Sequence, residues 1–216
     1  MMFADRLDAA RQLADALAAQ RGRQPLVLAI PRGAVPMGAL IAEALDGELD
    51  VVLVHKLGSA WNPEYAVGAI DDSGRRIVTD PASGGEHWLA EEGERQLAAL
   101  HRRRALFSPG RPPADAKGRV VIVVDDGLAT GATMLAALGA VRSQGPARLI
   151  CAVPVAARDS LKAVQALADE VVCLHAPADF RAVGQFYVRF GQVEDDEVVA
   201  ALAHDRARRE EGGKRP

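Results

Sequence analysis

Apolar positions along this chain follow two rhythms. Between residues 5 and 19, Leu7, Ala10, Leu13, Ala14 and Leu17 recur at helical spacing and predict an amphipathic helix. Gly22 and Pro25 close it, and LVLAI follows as an unbroken apolar run of strand length. VPMGALIAEAL predicts a second helix and LDVVLVHK a second strand. Residues 57–65, LGSAWNPEY, hold Gly, Asn and Pro and predict a loop. AVGAI and RRIVTD flank DDSG, the pattern of a hairpin. A long helix is expected over 86–106, ending in HRRR, with a break at PGRPP. Then come strand VVIVV, a helix over 131–144, strand ARLICAVPV, a helix over 157–168 and strand EVVCLHA. An aromatic-bearing loop and a short helix lead to EEGGKRP, a polar tail expected to be disordered.

Strands alternate with helices, and most strands are continuous apolar runs. That combination predicts an α/β fold with a parallel sheet covered on both faces. At about 100–200 residues per domain, 216 residues make a single domain, and neither an internal repeat nor a linker divides it. The net charge of -3 gives no bulk attraction to nucleic acid or anionic membrane. No apolar run approaches the roughly 20 residues of a membrane span, and MMFADRLDAARQLADAL lacks the layout of a signal peptide. A cytoplasmic location is expected. Cys151 and Cys173 lie in aliphatic runs and read as reduced core residues. His55, His87, His175 and His204 have no partner at nucleophile or metal spacing, so no role is assigned to them.

Ligands of parallel α/β sheets bind at the carboxyl ends of strands. The ends here are IPRG, VHKLG, VDDG, VPVAA and LHAPA, and the first three carry charge. In VVIVVDDGLATGATM, Asp125 and Asp126 end a strand, and GLATGAT leads into a helix. A helix N-terminus presents free N–H groups and partial positive charge. Ala129, Gly131 and Ala132 let backbone approach an anion, while Thr130 and Thr133 add hydroxyls. Neither GxxxxGK[ST] nor GxGxxG is present, so a triphosphate cradle and a dinucleotide fingerprint are both disfavoured. Carboxylates beside a phosphate would repel it unless hydroxyls or a metal intervene. Ribose 5-phosphate suits that demand.

VVDDGLATGATM resembles the phosphoribosyl-pyrophosphate (PRPP) signature of the type I phosphoribosyltransferases, and the strand-helix pattern is similar to that fold over roughly residues 25–175. The resemblance implies that Ala129, Thr130, Gly131, Ala132 and Thr133 hold the 5-phosphate and that Asp125 and Asp126 bind the ribose hydroxyls, with Asp126 a weaker candidate for accepting a proton. It implies Mg²⁺ carried by PRPP rather than bound directly by the protein, a nitrogen acceptor and a homodimer. IPRGAVPMG is similar to the family's pyrophosphate loop, which points to Arg32 and Gly33, and Lys56 in VHKLG is similar to the lysine that follows it. The family's loop holds a cis peptide, which alignment of the RG step puts at Ile30–Pro31, where an X–Pro bond makes it cheap at about 0.5–1 kcal/mol.

LGSAWNPEYAVG is the candidate for the family's closing loop, with a static loop around a packed Trp61 as the competing reading. The hairpin and the long helix depart from the smaller family members. Within that helix, His101, Arg102, Arg103 and Arg104 read as a solvated face, with a face turned toward the site as the alternative. A small hood subdomain for the acceptor would come from the N-terminal helix, from residues 176–205, or from both. Phe180, Phe186 and Tyr187 offer stacking faces for a planar base near Val183–Gly184, or else form the core of a thin subdomain. Residues 206–216 read as the tail. A non-catalytic PRPP sensor and a receiver-like domain with a lone phospho-accepting aspartate are the competing functions. The second leaves the Thr/Gly loop and the PRG stretch unexplained.

Overall fold

The computed structural model describes residues 2–62, 65–78, 80 and 85–212. The five expected apolar runs build a five-stranded sheet in the order β2-β1-β6-β7-β8. Its members are β1 (Leu26–Ala29), β2 (Glu48–Val51), β6 (Val120–Val124), β7 (Arg148–Val155) and β8 (Glu170–His175), and every pairing is parallel. Because side chains alternate across a strand, each strand feeds two cores. Val27, Ala29, Ile122, Val124, Ile150 and Ala152 enter one. Leu26, Leu28, Val121, Val123, Leu149 and Cys151 enter the other. The first core is closed by α1 (Arg6–Ala16), α2 (Val35–Ala44), α3 (Glu86–Phe107) and α6 (Asp195–Gly212). The second is closed by α4 (Ala132–Arg142) and α5 (Arg158–Gln165). Cys151 is buried with its thiol pushed up to about 12, burial being the main cause, and Cys173 is partly buried; both are free.

The chain leaves β1 by α2 on one face and β6 by α4 on the opposite face. The crevice beyond the carboxyl ends of β1 and β6 is therefore a topological switch point. Ala29 is in register with Val124, so the turn after β1 lies beside Asp125 and Asp126.

LDVVLVHK is not one strand. The chain leaves the parallel sheet after Val51, and Val54–Gly58 (β3) starts a second, antiparallel sheet in the order β3-β4-β5. β4 (Ala66–Asp71) and β5 (Arg76–Val78) form the expected hairpin. The Asp71 carboxylate ties its turn by accepting from the Ser73 and Arg75 N–H groups and the Ser73 hydroxyl. This sheet packs on α3 and α4. The final helix runs on through Gly212, so Glu210 and Glu211 of the supposed tail are helical.

Arg104 corrects the reading of HRRR. Arg102 and Arg103 are exposed, but Arg104 is buried. It donates to Asp50 at 2.7 Å, to Asp72 at 2.7 Å and to the Val51 carbonyl at 2.9 Å. It shares its helix face with Leu100 and Phe107, and the two carboxylates supply the charge that burial there demands. His101, although exposed, has Nε2 3.0 Å from the Asp72 carbonyl. This cluster joins β2 to the hairpin turn.

Candidate active site

The site is built around the carboxyl end of β6. Asp125 and Asp126 leave the strand half-buried. Burial and the neighbouring Asp126 charge push Asp125 up to about 8. Burial also raises Asp126, opposed by the Arg6 guanidinium. The next residues close a cleft of about 170 Å³, lined by Asp125, Gly127 through Met134, and Val183. All five residues assigned to the phosphate lie on it. Gly131 takes a left-handed conformation at φ 73° at the N-cap of α4 and supplies no side-chain bond; of the first N–H groups of the helix, that of Ala132 donates to the Thr130 hydroxyl oxygen at 3.4 Å. The Ser160 hydroxyl anchors the loop from α5 by donating to the Ala129 carbonyl at 2.6 Å. Gly127 is required by packing, since a Cβ there would stand 2.7 Å from the Val183 side chain.

Arg32 and Gly33 are brought beside this pair. A Cβ on Gly33 would fall 2.4 Å from Asp126 Oδ2, so the turn and the carboxylate touch. The Arg32 guanidinium faces Glu194 and Asp195 at 3.4 and 3.5 Å, near the start of α6. The cis peptide lies at Pro31–Arg32, not at Ile30–Pro31. The low cost of a cis X–Pro bond describes an isolated peptide unit and does not decide which bond of this turn is cis. Lys56 is not at an end of the parallel sheet. It sits in β3 and lines a separate cleft of about 360 Å³ with Gly68, Ala69, Ile77 and Leu135, and Ala132 is the residue common to both clefts.

The segment expected to close over the site, residues 57–68, runs from the end of β3 through the connection into the start of β4, with residues 63 and 64 outside the described part. Its Trp61 is 89% exposed, which removes the reading of a packed Trp61.

The chain just before α1 and the aromatic segment near the C-terminus, the two candidates for the hood, join each other. Phe3 pairs with Tyr187 as a parallel bridge, with Phe3 N–H donating to the Phe186 carbonyl and Val188 N–H to the Phe3 carbonyl, each at 2.8 Å. Phe186 and Tyr187 are buried and Phe180 is half-buried. Phe180 stacks on Phe186 at 5.5 Å, His175 meets Phe186 edge-on at 5.6 Å, and Tyr187 stacks on Phe190 at 4.8 Å. Much of the ring surface of Phe186 and Tyr187 is thus spent within the hood. The Tyr187 hydroxyl donates to the Asp126 carbonyl at 2.7 Å, and burial raises its pKa.

Arg6, in the first turn of α1, carries no signal in the sequence that marks it as part of a site. Its Nε and Nη2 both lie 2.9 Å from Asp126 Oδ2, and Nη1 donates to the Gly191 carbonyl at 2.6 Å. Its guanidinium lies 3.9 Å from the centre of the Phe190 ring. The partner is 120 positions away, and nothing local to α1 announces it.

A parallel sheet covered on both faces, with an acidic pair, a small-residue loop at a helix start and a hood, defines a class of protein. The chain belongs to the phosphoribosyl transferase domain family, whose profile matches residues 4–190. It is 45% identical over 213 residues to two Mycobacterium tuberculosis proteins, from strains CDC 1551 and H37Rv, that carry phosphoribosyl transferase in their names. That match covers 97% of this chain and 48% of theirs, so the chain spans about half the length of these relatives. The crystal structure of TT1426 from Thermus thermophilus superimposes with a TM-score of 0.88 at 44% identity, covering 94% of this chain and 99% of that one.

Proposed function

We propose that this chain transfers the 5-phosphoribosyl group of PRPP to a nitrogen acceptor, a nucleobase or similar heterocycle, and releases pyrophosphate. One arrangement carries the reading. Asp125 and Asp126 stand at a strand end next to an uncapped helix start, with the Arg32–Gly33 turn against Asp126. In this reading the 5-phosphate lies on residues 129–133, where loop and helix N–H groups and the Thr130 and Thr133 hydroxyls receive it. The two aspartates take the ribose hydroxyls and fix the anomeric carbon toward the acceptor.

As the bond to pyrophosphate lengthens, positive charge gathers on the ribose ring and negative charge on the leaving group. Asp126, paired with Arg6, faces the first charge, and Asp125, which keeps its proton up to about pH 8, faces it as a neutral dipole. Arg32 and the turn after β1 face the second, and preorganised charge of this kind is usually the largest catalytic contribution. To engage pyrophosphate, Arg32 exchanges its contacts with Glu194 and Asp195. Among the described residues no three His, Cys, Asp or Glu gather as ligands for a metal. Carried in on PRPP, as the family resemblance implies, Mg²⁺ would supply positive charge against the departing pyrophosphate.

The acceptor lies under the hood. Of the three rings assigned to it, Phe180 is the most open to stack on it, with Phe186 and Tyr187 behind as the supporting wall. Among the described residues no helix is long and apolar enough to cross a membrane. The reading is of a cytoplasmic homodimer that acts on small molecules and not on nucleic acid.

The test is pyrophosphate release from PRPP and Mg²⁺, with and without a pool of purines, pyrimidines and other nitrogen heterocycles. Acceptor-dependent release is expected, and splitting the pool names the acceptor. Saturable PRPP binding without release under any acceptor would instead favour a PRPP sensor.

A further inference from the structure

The acids of the site are held differently. Asp126 meets a guanidinium and Asp125 does not: the Asp125 Oδ1 accepts from the Asp126 N–H at 2.9 Å. Arg6 reaches Asp126 across the mouth of the crevice, between the Gly33 turn and the Phe190 ring. A Cβ on Gly33 would stand 3.3 Å from Arg6 Nε and Nη2, so the guanidinium is confined on that side. On the other side it lies against Phe190, and Nη1 is tied to Gly191. Arg6 is thus fixed by α1, the β1–α2 turn and the hood at once. Both of its contacts with Asp126 fall on Oδ2, and no bond from Arg6 reaches Oδ1.

We propose that Arg6 is a positioning residue for the ribose subsite: it pins the Asp126 carboxylate through Oδ2 so that Oδ1 accepts from a ribose hydroxyl of PRPP. This rests on the reading of the site as a PRPP site. It goes beyond that reading by assigning the orientation of Asp126 to a residue of the N-terminal helix. Arg6 thereby couples hood and ribose subsite, because the residue that orients Asp126 is the one that stacks on Phe190.

Burial pushes Asp126 up from the ordinary carboxylate range, and the Arg6 charge opposes this. The charged and titratable groups facing Asp126 are Asp125 at its own strand end, Arg6 from α1 and the Tyr187 hydroxyl from the hood. The β1–α2 turn presents Gly33, while Arg32 turns toward Glu194 and Asp195. Removing the Arg6 charge should therefore let Asp126 hold its proton to higher pH. Affinity for a hydroxyl-bearing ligand then falls most at low pH and recovers as pH rises.

The experiment is calorimetric titration of the full chain with PRPP, ribose 5-phosphate and inorganic pyrophosphate across neutral and mildly alkaline pH. The proteins are wild type, Arg6→Met, Arg6→Lys and Arg189→Gln. The last removes the Arg189–Asp5 ion pair, which ties the hood to the N-cap of α1 without touching Asp126. Taking the ratio to wild type at each pH cancels the titration of the ligand's own phosphates. Arg6→Met should weaken PRPP and ribose 5-phosphate by about 10- to 100-fold near neutrality, the range for a charged hydrogen bond, and by less at the alkaline end. Pyrophosphate should change little. Arg6→Lys, a point charge without the fork, should recover the pH profile and part of the affinity. Arg189→Gln should stay close to wild type.

An Arg6→Met loss that is equal at all pH values, or equal for pyrophosphate, would overturn the proposal, as would wild-type affinity in Arg6→Met. If Arg6→Met does not fold, Arg6→Lys decides: a folded lysine variant without the wild-type pH profile overturns the proposal. Wild-type protein that binds neither PRPP nor ribose 5-phosphate would instead refute the PRPP reading itself, and this inference would fall with it.

Discussion

Gly33→Ala separates the site from the fold. The new Cβ would stand 2.4 Å from Asp126 Oδ2, below the 3.0 Å that real Cβ contacts respect, so the carboxylate must retreat by about 0.6 Å or more. What it meets is the end of a flexible side chain rather than packed backbone, and Arg6 Nε and Nη2 at 3.3 Å are side-chain atoms as well. The fold should therefore yield cheaply, within the roughly ±0.5 kcal/mol usual for substitutions away from the core. The site should not. A carboxylate displaced that far, with the Arg6 guanidinium shifting alongside it, loses its register with the ribose hydroxyls. One lost charged hydrogen bond costs about 1.5–3 kcal/mol, or about 10- to 100-fold in affinity. The assay is PRPP titration by calorimetry beside thermal denaturation of the same samples. A variant with an unchanged melting temperature and unchanged PRPP affinity would refute the claim that the position of Asp126 matters. A large drop in melting temperature would refute the claim that the contact belongs to the site alone.

Arg104→Met should destabilise the protein by about 3–5 kcal/mol in denaturant unfolding, because Asp50 and Asp72 are left as uncompensated buried charges. Adding Asp50→Asn and Asp72→Asn should restore part of the loss, and no recovery would argue that the carboxylates are not what Arg104 serves. Asp125 holds its proton in the folded state from its ordinary 3.8 up to about 8, so the unfolded chain binds fewer protons in that window and stability should fall as pH rises through it. In melting scans across that window, Asp125→Asn should flatten the slope, and parallel curves for the two proteins would contradict the assignment. Ser160→Ala removes the bond to the Ala129 carbonyl, worth about 0.5–1.5 kcal/mol, and should weaken PRPP a few-fold while leaving the secondary structure intact by circular dichroism.

The parallel sheet and its cradle are legible because their signals are local. A continuous run such as VVIVV reads as a strand whatever surrounds it, and a strand followed by DDGLATGAT states its own turn and helix start. What escapes depends on partners far along the chain. Val52 and Leu53 are as apolar as the strands around them, so nothing in LDVVLVHK marks the change of sheet, and Lys56 reads as the end of a strand to which it does not belong. Arg6 and Asp126 meet only once α1 has docked. Arg104 is recoverable in principle, since it follows Leu100 by four and precedes Phe107 by three, but a cation is not ordinarily counted as part of an apolar stripe. The aromatics near the C-terminus illustrate the limit of composition: it shows a cluster, while the fold shows Phe186 spending its ring on Phe180 and His175, and Tyr187 on Phe190 and Phe3.

The most direct test of the account is titration of PRPP and Mg²⁺ into wild type and into Asp125→Asn/Asp126→Asn, with circular dichroism on both. The account predicts saturable binding by wild type and its loss in a double variant that remains folded. Equal binding by a folded double variant would contradict the placement of the ribose on these aspartates, and no binding by either would contradict the PRPP site altogether.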